Sequence, residues 1–284
     1  MIQRRFLGWI GLLLATCLVA IACSKSPQMS SSSSPGSSMA NNEIVVASED
    51  DYPPFDFLEN GQHVGYNQDL LAVVAKEKAL KIKQEVLPFQ GILAGIASDK
   101  YTASNASVGI TKKRANVVDF TMPTTELTSF FVVRKGDNTL KELKDFSGKT
   151  IAIQQGGITS AVYENYAKPE LAKLGVNVAG VKEYGAFAEA YQDLLNKRVD
   201  IVINNIVALK RLVNEKPDLY QIGSQIGPKV YAAWAVKKGN QAMLDVLNDG
   251  LAKAKADGTM KQLQEKWLKV SFSDLPNKAE IPPA

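Results

Sequence analysis

The sequence predicts an α/β protein made of two similar halves. Short runs rich in β-branched residues alternate with longer segments of helical periodicity, which is typical of strands and helices on largely parallel sheets. The alternation begins at Glu43, is interrupted near residues 125–130 and restarts at Leu140. Two α/β halves are therefore expected.

The first half begins with a predicted strand at 43–48 and a helix at 68–80, EIVVAS and QDLLAVVAKEKAL. Apolar residues such as Leu70, Leu71 and Val74 recur on one face of this helix. The further predicted elements are strands at 81–88, 106–110 and 129–136 and helices at 90–98 and 111–118.

The second half begins with an amphipathic segment from Leu140. The predicted elements that follow are a strand at 150–154, a glycine-rich turn with a helix, a strand at 176–184, a helix at 186–197, a strand at 199–205, a helix at 206–216, a strand at 229–239 and closing helices at 243–268. Asp257-Gly258 is expected to separate the closing helices, because Asp-Gly is a common turn pair.

Residues 1–22 have the pattern of a secretory signal. Arg4 and Arg5 precede a run of 17 residues without charge, and small Ala22 stands before Cys23. Ala20-Ile21-Ala22-Cys23 resembles a bacterial lipobox, which implies cleavage before Cys23 and a lipid such as palmitate on that cysteine. Cys17 is the competing cysteine. The alternative is an uncleaved anchor, although the run is shorter than the ~20 residues that a bilayer needs.

Residues 23–42 are predicted to be a flexible tether, because they are rich in serine and poor in apolar residues. Removal of Arg4 and Arg5 lowers the formal net charge from +4 to +2, which gives no reason to expect nucleic acid as a partner. One histidine, His63, and one remaining cysteine exclude a Cys/His metal cluster and a Cys-His nucleophile pair. No metal or cofactor is expected.

The stretch GITKKRANVVDF (109–120) raises a question of charge. Thr111 has the position of a helix N-cap, with Arg114 three residues later. Lys112, Lys113 and Arg114 then stand in a first helical turn, which already carries partial positive charge. Either the helix starts on a solvated surface, or Arg114 binds an anion.

Five stretches together resemble the extracytoplasmic solute-binding proteins of ABC importers, in particular those for polar amino acids. They are ASEDDYPPFDFLENGQHVGYNQDLLAVVAKE, GITKKRANVVDFTMP, FFVVRKGD, SGKTIAIQQG and ADGTMKQLQEKWL. The resemblance covers nearly all of residues 43–270. It implies a periplasmic-binding-protein-like fold of type II, with two α/β lobes joined by a hinge of two crossovers.

The implied lobes divide the chain differently from its two sequential halves. Lobe 1 is expected at 43–126 and 231–275, lobe 2 at 127–230, and a C-terminal tail at 276–284. The closing helices then belong to the first lobe, although they are last in sequence.

The resemblance also implies a ligand site between the lobes. Arg114 corresponds to the arginine that binds the ligand's α-carboxylate, and its planar fork suits that role. Tyr52 and Phe89 correspond to the rings around the ligand side chain, although both are also typical core residues. Glu49 stands where members often have an Asp that pairs with a cation. An exposed carboxylate is the alternative for Glu49.

Three positions depart from the family pattern. Ser107 and Gly109 fall on a turn that offers backbone groups, but many members have Ser or Thr where Gly109 stands. In QQGGITSA the expected threonine comes late, as Thr159, and Thr159 or Ser160 could instead be an ordinary N-cap. Asn205 replaces an Asp that pairs with the ligand's ammonium, and an amide cannot neutralise that charge. Another acid such as Glu49 must compensate, or the ligand is not a plain α-amino acid.

The implied function is the substrate-binding component of an ABC importer, without catalytic chemistry. Its partners are a small solute, a permease and, through Cys23, a membrane on the periplasmic side or cell surface. A monomer is expected. The alternative is an enzyme on the same fold, similar to cyclohexadienyl dehydratases, in which Glu49 or Glu183 would act as the acid.

Overall fold

The computed structural model describes residues 43–282, all of which belong to one compact unit. The predicted signal, Cys17, Cys23 and the predicted tether lie outside the described residues. Within residues 43–282, no helix combines the length and the apolar character needed to cross a membrane.

The described chain alternates strands and helices as an α/β protein does, which confirms the predicted class. The strands are β1 Glu43–Glu49, β2 Asp51–Tyr52, β3 Asp56–Glu59, β4 Gln62–Val64, β5 Lys81–Leu87, β6 Ala103–Gly109, β7 Val118–Glu126, β8 Ser129–Arg134, β9 Thr150–Gln154, β10 Gly180–Tyr184, β11 Ile201–Asn205, β12 Tyr220–Ile226 and β13 Tyr231–Lys237. The helices are α1 Tyr66–Glu77, α2 Ile92–Ala97, α3 Lys112–Ala115, α4 Ile158–Val162, α5 Lys168–Lys173, α6 Phe187–Leu195, α7 Ile206–Glu215, α8 Gln241–Ala256 and α9 Thr259–Leu268. Short 3₁₀ turns occupy Phe89–Gly91 and Leu143–Phe146, and a π segment, Tyr163–Ala167, joins α4 to α5.

The first five-stranded sheet has the order β5-β1-β6-β13-β7. Strands β5, β1 and β6 are parallel, whereas β13 pairs antiparallel with both β6 and β7. Because β13 is buried between β6 and β7, a strand from near the end of the chain completes a sheet built by its beginning. The closing helices α8 and α9 pack beside α1 on the same side of the division.

The second five-stranded sheet has the order β10-β9-β11-β8-β12. Its parallel strands β10, β9 and β11 are followed by β8, which pairs antiparallel with both β11 and β12. The two sheets therefore repeat one arrangement of three parallel and two antiparallel strands. A small third sheet, β2-β3-β4, follows β1.

The chain passes between the large sheets twice. It leaves the first sheet after Glu126 and enters the second at Ser129, and it returns between Ile226 and Tyr231. We use lobe 1 for residues 43–126 with 231–275 and lobe 2 for residues 127–230. That these lobes move as separate bodies stays a prediction.

Several predicted elements differ from those observed. A helix was expected at 111–118, but the observed helix α3 ends at Ala115. Val118, the last residue of the predicted helix, is the first residue of β7. Strands β7 and β12 were not predicted, nor was the small sheet. The strand expected from residue 176 begins at Gly180, and the helix expected at 68–80 spans Tyr66–Glu77. The predicted break at Asp257-Gly258 is confirmed, because Gly258 takes the left-handed conformation between α8 and α9.

Candidate functional site

The candidate site lies where the ends of parallel strands from the two sheets face each other. Strands β1 and β6 end at Glu49 and Gly109 in lobe 1, and β9 and β11 end at Gln154 and Asn205 in lobe 2. In α/β proteins, ligands bind outside the carboxyl ends of the strands. Glu49 is hydrogen-bonded to Gln154, and Asn205 to Tyr52, across the boundary between the lobes.

Arg114 is placed by the short helix α3. The hydroxyl of Thr111 accepts a hydrogen bond from the Arg114 amide at 3.2 Å, so the predicted N-cap is confirmed. The helix then turns the Arg114 side chain inward, where it is only 7% exposed, whereas Lys112 and Lys113 are exposed. The two lysines therefore form the solvated helix start, and Arg114 does not.

The guanidinium of Arg114 bridges the lobes. Its Nη1 donates to the carbonyl oxygen of Gly109 and its Nη2 to that of Gly156, both at 2.8 Å. The guanidinium carbon stands 5.2 Å from the centre of the Phe89 ring. Arginine has five N–H donors, so three donate to no acceptor among residues 43–282.

The charge of Arg114 is poorly compensated. Burial lowers the pKa of Arg114 to about 10, although the nearby Glu49 and Tyr52 act in the opposite direction. No carboxylate of the described residues forms a salt bridge with this guanidinium. A buried cation without a paired anion costs several kcal/mol, so the site favours an anionic ligand group.

Glu49 is buried rather than exposed, at 1%. One carboxyl oxygen accepts a short hydrogen bond from Nε2 of Gln154 across the interface, and the other, Oε2, has no partner in the described chain. Burial raises the pKa of Glu49 to about 8, and the carboxylates of Asp51 and Asp50 add to the rise. Glu49 is therefore protonated at neutral pH in this arrangement.

Aromatic rings from both lobes meet beside these charges. Tyr52 of lobe 1 stacks on Phe187 of lobe 2, with ring centres 5.5 Å apart, and Phe187 in turn stacks on Tyr191 at 6.0 Å. Tyr52 and Phe89 are 3% and 4% exposed. The two rings predicted from sequence thus stand on lobe 1, and the two lobe 2 rings, Phe187 and Tyr191, were not predicted.

Ser107 and Gly109 lie within β6 rather than on a turn after it. The Ser107 hydroxyl accepts a hydrogen bond from Nδ2 of Asn67 at 2.9 Å, so it is held by lobe 1. A Cβ at position 109 would stand 2.6 Å from Cδ1 of Ile158 and 3.0 Å from its Cβ. Ile158 of lobe 2 occupies the space that a side chain at 109 needs.

Thr159 and Ser160 act within lobe 2. Oγ1 of Thr159 accepts from the Gln154 amide at 3.0 Å, and the Ser160 hydroxyl donates to the Gln154 carbonyl at 2.9 Å. Neither is the N-cap of α4, which is Gly157. Their hydroxyls hold the turn after β9.

Asn205 is the N-cap of α7. Its Oδ1 accepts from the amides of Val207 and Ala208 at 2.9 and 3.0 Å, while Nδ2 donates to the Tyr52 hydroxyl at 2.6 Å. Both lone pairs of the Asn205 oxygen are therefore used in this arrangement, and the role of Asn205 toward a ligand stays a prediction.

The comparisons with known proteins agree with this geometry. Residues 44–270 match the sequence profile of the bacterial extracellular solute-binding proteins, family 3. The chain belongs to this family.

Relatives in family 3 include proteins named for amino acids. The L-cystine-binding protein TcyJ of Escherichia coli strain K12 is 27% identical over 226 residues, 79% of this chain and 82% of the relative. ABC transporter arginine-binding protein 1 of the same strain is 27% identical over 221 residues, 76% and 86% of the two chains. A solved ancestral arginine-binding protein bound to arginine is 33% identical with a TM-score of 0.71, over 80% and 98%. The two-lobed fold expected for family 3 is confirmed.

Several residues of the interface were not predicted as part of the site, among them Asp51, Gln154, Ile158 and Phe187. Oδ2 of Asp51 in lobe 1 accepts from the Ala188 amide in lobe 2 at 3.0 Å. Asp51 lies next to Tyr52, and Ile158 belongs to the turn in which the family's threonine is displaced, so both carried a signal in sequence. Gln154 and Phe187 carried none.

The described site contains no arrangement for a metal. Within residues 43–282, no three histidine, cysteine, aspartate or glutamate side chains are grouped as a metal ion requires. What the site offers is one guanidinium, one neutral acid, stacked rings and amide donors, which suits binding of a small organic anion.

Proposed function

We propose that this protein is the substrate-binding component of an ABC importer. It holds a small carboxylate-bearing solute, an amino acid or a close relative of one, between its lobes. The observation that carries the proposal is the buried guanidinium of Arg114, which has three unused donors and no paired anion among residues 43–282. A carboxylate that accepts two of these donors would form a charge-assisted pair, the strongest hydrogen-bonding geometry available to arginine.

Closure of the lobes would couple solute binding to transport. Residues 43–126 with 231–275 and residues 127–230 move about the two crossovers, and the solute draws them together by binding the closed form better. Contacts that cross the interface stabilise the closed form; examples are Asp51 with Ala188 and Tyr52 with Asn205. A permease then recognises the closed lobes.

The location we propose follows from the first 42 residues. Cleavage before Cys23 and lipidation of that cysteine would anchor the protein outside the cytoplasm of a bacterium, with residues 24–42 as the tether. Cys23→Ser is expected to release the protein from the membrane fraction. Continued membrane association of that variant would contradict the lipid anchor.

A second candidate function rests on Glu49. A carboxylic acid that keeps its proton at neutral pH in a cleft is what a dehydratase needs to protonate a leaving hydroxyl. Glu183, the other acid considered from sequence, is exposed on β10 and lacks the burial of Glu49. The relatives that the chain matches are named as binding proteins, so binding without chemistry is the first proposal.

A thermal-shift screen separates the two candidates. A solute that binds only the folded protein raises its melting temperature by mass action, and the rise grows with concentration. We expect such a rise with at least one solute among amino acids, opines, betaines and organic acids, and no product. Consumption of a cyclohexadienyl acid without any stabilising solute would support the enzyme instead.

The same screen with variants locates the site. Arg114→Ala is expected to abolish the rise, because the solute loses its carboxylate partner. Lys113→Ala removes the same charge from the exposed face of α3 and serves as the matched control. Equal stabilisation of wild type and Arg114→Ala would exclude Arg114 as the clamp.

A further inference from the structure

The start of α7 turns amide donors toward the cleft, while the side-chain oxygens of Asn204 and Asn205 already accept hydrogen bonds from backbone amides. The two α7 amides need an acceptor, which fixes Oδ1 of Asn205 toward the helix and Nδ2 toward the cleft. Nδ2 donates to the Tyr52 hydroxyl. Because that hydroxyl oxygen accepts, the tyrosine proton remains to be donated to a further group.

The neighbouring residue repeats this polarity. Nδ2 of Asn204 donates to the Tyr191 hydroxyl at 2.8 Å, while its Oδ1 accepts from the Asn205 amide at 2.7 Å. The Tyr191 proton is therefore also left to donate. The donor subsite, by which we mean Tyr52, Tyr191, Asn204 and Asn205, thus presents two hydroxyl protons.

An ammonium group fits the donor subsite poorly. The side chains of Asn204 and Asn205 are buried, and the N-terminus of the ten-residue helix α7 adds partial positive charge. A buried ammonium beside Asn204 and Asn205 would meet amide donors and a helix terminus, and neither residue carries a negative charge. Asp51, in the wall of the adjoining cavity, uses Oδ2 to accept from the Ala188 amide.

The balance of charge between Arg114 and Glu49 points the same way. Arg114 contributes one positive charge, and Glu49 is neutral while it keeps its proton. A solute with one carboxylate and no ammonium balances the charge of Arg114. A zwitterion leaves one positive charge, which Glu49 balances only if it ionises in a buried position.

A cavity beside the donor subsite can take the remainder of such a solute. It has a volume of about 280 Å³ and lies between residues 51–53 of lobe 1 and helices α6 and α7 of lobe 2. Its walls include the rings of Tyr52, Phe187 and Tyr191, which stack on one another. Four charged residues also line the cavity: Asp51, Arg211, Glu215 and Lys216. An acyl or other flat group fits against the rings.

We infer that the solute bears, next to its carboxylate, a neutral hydrogen-bond acceptor in place of an ammonium group. The inference rests on the proposed function and narrows the chemical class of the solute. Arg114 binds the carboxylate, and the hydroxyls of Tyr52 and Tyr191 donate to the acceptor. The class comprises 2-hydroxy acids, 2-oxo acids and N-acylated amino acids.

Calorimetric titration with matched solutes tests the inference. L-phenylalanine, L-arginine and L-glutamine are each compared with their 2-hydroxy, 2-oxo and N-acetyl counterparts on the wild-type protein. For the amino acid and counterpart that together bind most tightly, we expect the counterpart without an ammonium group to bind at least tenfold more tightly than the amino acid. The three kinds of counterpart show which acceptor is preferred.

Asn205→Asp supplies the second arm. Aspartate caps α7 as asparagine does, but its second oxygen replaces the Nδ2 donor and adds a negative charge. The preference is expected to shift at least tenfold toward the amino acid. Asn196→Asp, which adds the same charge at the exposed end of α6, is expected to leave the preference unchanged.

The outcomes separate the inference from the function on which it rests. Tighter binding of the amino acids by wild type, or an unchanged preference in Asn205→Asp, would overturn the inference and leave the solute-binding function standing. No binding by any member of any pair would contradict both.

Discussion

Gly109→Ala should obstruct closure of the lobes without disturbing either lobe. Gly109 does not have a positive φ, so alanine fits its backbone. The added Cβ would stand 2.6, 2.7 and 3.0 Å from Cδ1, Cγ1 and Cβ of Ile158, whereas carbon atoms normally approach to about 3.5–4.0 Å. Ile158 is 5% exposed and begins α4, so it has little room to withdraw.

The cost of this overlap falls on the closed form alone, because Gly109 and Ile158 belong to different lobes. Overpacking of this kind costs about 1–3 kcal/mol. The dissociation constant should therefore rise by roughly 5- to 150-fold. The melting temperature without solute should change little, because the open lobes avoid the overlap.

Calorimetric titration with the best solute of the screen measures the effect, in a cycle with Ile158→Ala. The double variant should recover most of the affinity lost by Gly109→Ala, since the atoms that overlap are gone. Gly180→Ala is the matched control, because a Cβ there meets nothing within 4 Å. If Gly109→Ala binds as wild type does, the two residues are not in contact when the solute is bound.

Two further predictions concern acids at the interface. An unfolded glutamate ionises near pH 4.5, whereas Glu49 in the closed form holds its proton to about 8, so the stability of the closed form should fall as the pH rises through this window, by an amount on the order of 5 kcal/mol. Denaturant unfolding at pH 5 and pH 8, with the best solute of the screen at saturation, should show a clearly smaller loss in Glu49→Gln, and an equal loss would refute this assignment. Asp51→Ala removes the cap that lobe 1 provides to α6, so solute affinity should fall by ~2- to 30-fold, a loss of about 0.5–2 kcal/mol. Unchanged affinity would show that the cap is absent from the bound form.

The elements that the sequence predicted correctly are those determined by residues close to one another in the chain. Strand β9 was predicted at its observed bounds, because a short apolar run is followed directly by a glycine turn. Strand β7 was missed because its burial depends on pairing with β13, more than one hundred residues later. Strand β12 was missed for a similar reason, since it pairs with β8.

The candidate site was likewise hard to predict where it depends on contacts between residues distant in sequence. Residue type and spacing raised the question of Arg114, because an arginine in a helix start requires an explanation, and the family resemblance implied its carboxylate. The resemblance also showed that Gly109 departs from the family pattern and that the threonine after Gly156 is displaced, but not that Ile158 fills the space that a side chain at 109 needs. Likewise, an asparagine at 205 suggested a weaker ammonium site, whereas its hydrogen bonds show an acceptor already committed to α7.

The role of Arg114 is tested most directly on the wild-type protein, by calorimetric titration with the best solute as its acid and as its primary amide. The amide keeps the shape of the acid but leaves the buried guanidinium without an anion. A loss of this kind costs about 2–5 kcal/mol, so the amide should bind at least ~30-fold more weakly. Equal affinity for acid and amide would contradict a carboxylate clamp at Arg114.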